Sequence, residues 1–170
     1  MYTNYDDLSR MLETRIPRNE DASFLYEVYC STRMDDVSAW GWGEKDIQAF
    51  LSMQWTMQQC SYQLHYPDAQ HFIISYEGLD AGRLMLHRTK DMIRLIDISL
   101  LPSYRNRGIG GALLKSLQRD ARKNQQILVL QVTPHNPARR LYERLGFQTV
   151  ESSDIYWTMV WRPMLSNVDI

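Results

Sequence analysis

Apolar and polar residues repeat with two different periods along this chain of 170 residues. In four segments the apolar residues recur every three or four positions, which is the period of an amphipathic helix. They predict helices over 20–32 (with Asn19 as N-cap), 44–63 and 108–123, and a short helix opened by Asn136-Pro137 and closed by Gly146. Along the second helix, Met53, Trp55 and Met57 are predicted to lie in the core.

The remaining apolar segments are short and bounded by turn residues, as is typical of β-strands. They predict an edge strand at Arg15-Ile16-Pro17 and six further strands over 71–76, 82–87, 92–101, 127–132, 147–151 and 155–161. Residues 77–80 are predicted to form a turn, and 33–43 an irregular stretch. This order of elements predicts an α+β (mixed α/β) fold with helices packed against a central sheet.

Composition and charge narrow the class of protein. A formal net charge of −1, from 19 basic and 20 acidic residues, excludes a strongly basic nucleic-acid binder. Two cysteines are too few for a disulfide framework, and no apolar run approaches the roughly 20 residues of a membrane span. With no signal-peptide pattern, we expect a soluble, cytoplasmic protein that engages neither nucleic acid nor membranes. The four histidines lack metal-ligand spacing, so no metal is expected.

The strongest chemical signal lies between a predicted strand and the start of a predicted helix. Gly108, Gly110 and Gly111 would let a ligand approach the backbone, and the N–H groups of a first helical turn favour an anion. Arg105 and Arg107 add positive charge at the same place. A phosphate or pyrophosphate group is the predicted occupant, although a glycine-rich helix start with two solvated arginines has the same pattern.

This segment, Arg105-x-x-Gly108-x-Gly110, resembles motif A of the GNAT superfamily of acyl-CoA-dependent N-acyltransferases. The run from Asn136 to Phe147 (NPARRLYERLGF) resembles motif B of the same family. The resemblance implies the GNAT fold, with a mostly antiparallel sheet of about six to seven strands, a splayed parallel pair and about four helices. It further implies one domain over 14–163, between an N-terminal extension, 1–13, and a C-terminal tail, 164–170.

The resemblance also implies acetyl-CoA as co-substrate, bound at positions that match the two motifs. In the family the glycine loop binds the coenzyme pyrophosphate, and the preceding strand pairs its backbone with the pantetheine arm. The matching residues here are Ile98, Ser99, Leu100, Arg105, Asn106, Arg107, Gly108, Ile109, Gly110, Gly111, Asn136, Arg139 and Tyr142. Tyr142 matches the tyrosine that protonates the departing thiolate. A packing aromatic against Leu145 and Phe147 is the alternative for it.

The general base is less clearly indicated. Where family members carry a glutamate in one of two strands, this chain has Arg94 and Gln131. Asp97 is the only carboxylate in the strand over 92–101 and is a candidate to accept the amine proton, directly or through a water. The alternatives are a buried aspartate bonded to backbone or to an arginine, with a water chain or an already deprotonated amine replacing the base.

Acceptor specificity in the family comes from the first two helices and their connection, together with the last strands. We predict that Trp40 and Trp42 line the acceptor pocket, with Asp35 or Asp36 attracting a cationic amine. In the alternative interpretation, the tryptophans anchor a loop to the core and the aspartates are solvated helix caps.

These features predict an N-acetyltransferase that acts on a primary amine of a small molecule or peptide by direct attack in a ternary complex. A non-catalytic acyl-CoA-binding sensor on the same fold is the alternative, and a homodimer stays possible. Residues 102–145 contain nine basic and two acidic residues, whereas residues 1–60 contain five basic and ten acidic ones. This split suits a polyanionic coenzyme on one side and a cationic amine on the other.

Overall fold

A computed structural model describes residues 5–164, with side chains described from Leu8 onward. In chain order the elements are α1 (Tyr5–Met11), β1 (Leu12–Arg15), α2 (Ala22–Ser31), α3 (Met34–Ser38), α4 (Glu44–His65), β2 (Gln70–Tyr76), β3 (Leu79–Arg88), β4 (Met92–Leu100), α5 (Ile109–Lys123), β5 (Ile127–Val132), α6 (Arg139–Arg144), β6 (Gln148–Ser152) and β7 (Trp157–Trp161). Short 3₁₀ helices cover Asn19–Asp21 and Pro102–Tyr104.

Seven strands form one sheet in the order β1-β2-β3-β4-β5-β7-β6. The β1–β2, β5–β7 and β6–β7 pairs are antiparallel, and β4–β5 is parallel. The parallel pairing runs from Met92–Ile127 to Leu95–Leu130, although β4 continues to Leu100. The predicted α+β fold with one parallel pair is therefore confirmed.

The described residues form six α-helices rather than about four. One additional helix is α3, which lies in the stretch predicted to be irregular. The other is α1, within the predicted N-terminal extension, whose residues 1–4 lie outside the described part of the chain. Of the predicted C-terminal tail, residues 165–170 lie outside it as well. The limits of the single domain, 14–163, therefore stay a prediction.

Three local expectations are wrong. Asn19 belongs to a 3₁₀ turn and does not cap α2, whose preceding residue is Asp21. The turn after β2 contains only Glu77 and Gly78, both with positive φ (52° and 78°), because a two-residue hairpin with this backbone twist matches the twist of its strands. The edge strand predicted at 15–17 lies earlier in the chain: β1 covers Leu12–Arg15 and shares only Arg15 with the prediction.

The chain divides into two compact units, each with buried apolar residues. Within the described residues, the first unit contains 5–10, Leu86–Ile96 and 108–164, and the second contains Met11–Met85 and Asp97–Arg107. In the first, α5 buries Ile109, Leu113 and Leu117, as its spacing predicts, while Arg119 and Arg122 are exposed.

In the second unit, the middle of α4 packs its inner face against α2 and α3. Leu51 joins Tyr29 and Val37 in a buried cluster, with Trp55 packed against it. The prediction that Met53 and Met57 lie in the core is wrong, since they are 52% and 58% exposed. Successive helix residues turn by about 100°, so the side that buries Leu51 and Trp55 leaves these methionines outside.

Candidate active site

The glycine loop ends in an uncapped helix start. Gly108 takes a left-handed conformation (φ +82°), and no side chain caps the helix that follows it. The N–H of Ala112 donates to the carbonyl of Gly108 at 3.0 Å. The N–H groups of Ile109, Gly110 and Gly111 precede that bond, and such first-turn donors bind anions. The local geometry thus fits the predicted phosphate cradle.

The two arginines of the loop have different surroundings. Arg105 is half-buried; its Nε donates to the carbonyl of Leu100 at 2.8 Å, and its Nη2 donates to the carbonyl and hydroxyl oxygens of Ser31, both at 3.0 Å. Arg107 is exposed, and its guanidinium lies 5.7 Å from the ring centroid of Tyr104. Arg105 therefore holds the loop to β4 and to the end of α2, whereas Arg107 has its charge at the surface.

The segment before α6 forms a turn. Asn136, predicted as the helix N-cap, accepts the N–H of Ala138 at its Oδ1 (2.9 Å), and α6 begins only at Arg139. The Arg139 guanidinium lies 4.5 Å from the ring centroid of Trp157, and its Nη1 donates to the carbonyl of Pro134 at 3.2 Å. Asn136 is exposed while Arg139 is half-buried, so Asn136 is the more accessible of these two predicted coenzyme contacts.

Tyr142 is 7% exposed and lies on the inner side of α6. Its ring meets the ring of Phe147 edge-on, at a centroid distance of 5.8 Å. This packing is the one that the alternative interpretation describes. It also limits the motion of the ring, which a tyrosine that delivers a proton would need.

The other predicted catalytic residue, Asp97, belongs to the second unit and is an ion-pair partner. Its Oδ2 accepts from the Nε of Arg83 at 2.7 Å and also from Nη2 of the same guanidinium. Its Oδ1 accepts from the hydroxyl of Ser99 at 2.7 Å. Because both oxygens are engaged, this geometry favours the alternative in which Asp97 is a buried aspartate bonded to an arginine.

Arg83 is the residue that sequence reasoning missed. It is 3% exposed, and its Nη2 also donates to the Oε1 of Gln58 at 2.8 Å, while its guanidinium lies 5.0 Å from the ring centroid of Trp55. One guanidinium thus joins α4 to β4. The available signal was an arginine in a largely apolar strand, because a buried charge needs a partner of opposite sign and Asp97 is the one carboxylate in the following strand.

Two further titratable groups lie near this pair. Burial, reinforced by the negative charge of Asp97, raises the pKa of Tyr62 to about 12. Partial desolvation, reinforced by the positive charge of Arg83, lowers the pKa of His71 below its usual value. Both groups are therefore held in their neutral forms at neutral pH.

Gly82 allows β3 and β4 to approach closely beside this pair. A Cβ atom at Gly82 would collide with the carbonyl oxygen of Ser99 and lie 2.9 Å from Cδ2 of Leu100. The N–H of Leu101 donates to the carbonyl of Ala81 at 2.9 Å. Position 82 thus sets the path of the backbone that is predicted to meet the pantetheine arm.

The predicted acceptor residues form an aromatic cluster at the start of α4. The rings of Trp40, Trp42 and Phe50 lie edge-to-face at centroid distances of 5.1 to 5.6 Å. The tryptophans are 46% and 48% exposed, so they both anchor the loop and present apolar surface. Asp35 and Asp36 are exposed in the first turn of α3, as the alternative expects, but they do not cap it, since Arg33 is at the N-cap position and no side chain caps this helix.

Solved structures of acetyltransferases share this fold. The PaiA N-acetyltransferase of Thermoplasma acidophilum, in complex with coenzyme A, is 18% identical and covers 89% of this chain and 98% of its own, with a TM-score of 0.66. The ribosomal-protein-S18-alanine N-acetyltransferase of Escherichia coli is 20% identical and covers 94% and 99%, with a TM-score of 0.59. At these identities the likeness concerns the fold.

Sequence comparison gives a more specific relation. The [ribosomal protein bS18]-alanine N-acetyltransferase of Haemophilus influenzae is 38% identical over 68 residues, which is 39% of this chain and 47% of that protein. The match therefore spans about half the length of this curated relative. The model of the acetyltransferase (GNAT) family matches residues 23–147, well over half of the chain. The chain therefore belongs to the acetyltransferase (GNAT) family.

Proposed function

We propose that this protein is an acetyl-CoA-dependent N-acetyltransferase that acetylates a primary amine of a peptide or small molecule. The observation that carries the proposal is the uncapped start of α5 behind a left-handed Gly108. Three consecutive N–H groups precede the first helical bond there, as an anionic coenzyme requires. Family membership supplies the reaction class.

The coenzyme is held mainly through backbone groups in this proposal. The N–H groups of Ile109, Gly110 and Gly111 bind the pyrophosphate, and exposed Arg107 adds a positive charge. Arg105 acts as a positioning residue, because its Nε and Nη2 groups donate hydrogen bonds to Leu100 and Ser31. Backbone groups of Ile98–Leu100 and the Asn136 side chain contact the pantetheine arm.

Two further residues support the shape of these segments. Asn106 (φ 58°) gives the loop its second left-handed residue, and Arg139 supports the turn at Asn136 through its bond to the carbonyl of Pro134.

Direct attack requires four changes at the thioester. The amine nitrogen bonds to the acetyl carbon, the carbon–sulfur bond breaks, the nitrogen loses a proton and the departing sulfur gains one. Tyr142 donates the proton to the sulfur, since its hydroxyl group is the general acid that the resemblance to the family implies. Its packing on Phe147 supports this role by fixing the ring.

The proton of the amine leaves through water or before binding. Asp97 was one candidate to accept it, but its oxygens receive Arg83 and Ser99. We infer that Asp97 instead positions β4, next to the backbone that meets the coenzyme. The positions of the family glutamates hold half-buried Arg94 and exposed Gln131, so neither supplies a carboxylate.

The acceptor binds against the exposed faces of Trp40 and Trp42 in this proposal. A peptide with a free amino terminus is the first acceptor to test, because a relative is named for acetylating a ribosomal protein. The excess of five acidic residues within 1–60 favours a cationic acceptor. Asp35 and Asp36 are exposed at the surface and contribute to that field.

The test is calorimetry with acetyl-CoA followed by an acceptor panel assayed by free-thiol release. The panel contains peptides with different amino-terminal residues, polyamines and free amino acids. Saturable binding of acetyl-CoA and thiol release that depends on one class of acceptor are expected. Failure of acetyl-CoA to bind at millimolar concentration would refute the coenzyme site itself.

The absence of a carboxylate at positions 94 and 131 favours one second candidate, a non-catalytic acyl-CoA-binding sensor. It predicts tight coenzyme binding with no acceptor-dependent thiol release across the whole panel. Tyr142 favours the enzyme, because a protein that only binds acyl-CoA needs no proton donor for a departing thiolate.

A further inference from the structure

The outward face of α4 carries an apolar stripe formed by Met53, Met57, Cys60 and Leu64, here called the α4 stripe. Successive members are four, three and four residues apart, so they lie along one side of the helix. Met53, Met57 and Leu64 are 52%, 58% and 79% exposed, and Cys60 is exposed. Within the described residues, no element covers these side chains.

The flanks of the α4 stripe lack charge. From Ile47 to Leu64 the helix contains no Asp, Glu, Lys or Arg, and the stripe is bordered by Gln54, Thr56, Ser61 and Gln63. An ordinary solvated helix face is rich in such charges. Depletion of charged residues with enrichment of methionine is typical of the core of a protein–protein interface.

The spacing of the stripe reads the same in both directions along the helix. A second α4 that runs antiparallel therefore presents the same pattern, with Met53 opposite Leu64 of the partner subunit and Met57 opposite the partner's Cys60. Such a self-complementary arrangement is what a two-fold interface requires. The uncharged flanks leave no like-charge repulsion between the two helices.

We propose that the α4 stripe is the contact surface of a homodimer in which two α4 helices pack antiparallel. Specific interfaces bury about 1,000 Å² or more in total, and a contact confined to one helix face of each subunit is small on this scale. The dimer is therefore expected to be weak, with dissociation in roughly the micromolar range. This inference does not depend on the proposed enzymatic function.

Sedimentation equilibrium on the full chain, over about 1 to 200 μM, tests the proposal. The wild-type protein is expected to pass from monomer to dimer in this range. Met57→Glu places two carboxylates at the centre of the contact and should raise the dissociation constant more than tenfold. Leu79→Glu is the matched control, because Leu79 is 64% exposed but belongs to β3 and not to the α4 stripe. Far-UV circular dichroism verifies that both variants are folded.

Three results would overturn the proposal. A wild-type chain that stays monomeric at the highest concentration has no such dimer. A dimer that persists in Met57→Glu uses another surface, such as the last strands of the sheet. Equal loss of association in Met57→Glu and Leu79→Glu indicates unspecific apolar contact.

Discussion

Replacing Asp97 by asparagine tests whether Asp97 is a positioning residue or the general base. The substitution keeps the shape of the side chain and one oxygen acceptor, but it removes the negative charge that faces Arg83. Arg83 is 3% exposed, so water does not replace the lost partner. Gln58 and the face of Trp55 remain in contact with its guanidinium and carry no charge.

The expected cost follows from the burial of this pair. Breaking a buried ion pair by removing one partner costs about 3–5 kcal/mol, because the other charge stays buried without compensation. Asparagine still accepts one hydrogen bond, so we expect about 3 kcal/mol, or roughly a 100-fold change in the folding equilibrium. For a chain of this size the midpoint of thermal unfolding should fall by about 6–12 °C.

Urea unfolding at neutral pH measures the stability, and free-thiol release measures turnover. Asp68→Asn is the matched control, since Asp68 is exposed and its substitution should change stability by less than about 0.5 kcal/mol. The double variant Arg83→Met/Asp97→Asn should cost less than the sum of its single changes, because no unpaired charge remains. The pH profile of turnover should keep its wild-type shape from roughly pH 7 to 9.

Two outcomes would refute this reasoning. Unchanged stability in Asp97→Asn would mean that the Arg83 pair contributes nothing to the fold. Normal stability combined with a displaced pH profile would restore Asp97 as the base.

Four further predictions concern the remaining elements of the site. Gly82→Ala should destabilise the fold by about 2 kcal/mol or more in urea unfolding, because its methyl group meets the Ser99 carbonyl. Arg107→Gln should raise KM for acetyl-CoA about 5–10-fold in steady-state assays, with a weaker dependence on salt than the wild type. Tyr142→Phe should lower kcat about 100-fold or more while calorimetry shows unchanged acetyl-CoA affinity. Because the pKa of His71 is lowered in the folded protein, the unfolded chain binds this proton more readily. The stability that depends on neutral His71 is therefore present above pH 6.5 and is lost as the pH falls through the lowered pKa of the folded state. His71→Gln should reduce the change in the free energy of unfolding, measured in urea, between about pH 7.5 and 5.5.

Each of these has a contrary result. Wild-type stability of Gly82→Ala would mean that β4 shifts freely, and an unaltered KM in Arg107→Gln would remove this arginine from the coenzyme site. Full turnover of Tyr142→Phe would leave only its packing role. An equally steep loss of stability with acid in His71→Gln would assign that loss to other groups.

The pattern of the sequence was sufficient for most elements and for the family. Strand β5 and helix α5 follow the predicted bounds within one residue, because an unbroken apolar run and a helical period are both local signals. The loop around Gly108 was also predictable, since a left-handed turn before a helix favours glycine. Helix α6 was predicted two residues too long at its start, because Asn136 stabilises a turn with the same residue types as a helix cap.

Tertiary structure decided what those residues contact. Asp97 and Arg83 are 14 residues apart, and Arg105 reaches Ser31 across 74 residues, so no local period indicates either pair. The period of α4 likewise shows that apolar residues recur, but not which of its sides is covered. Leu51 is buried and Met57 is exposed because α2 and α3 pack against only one side of that helix. Burial depends on which elements meet, and that is a property of the folded chain rather than of any one segment.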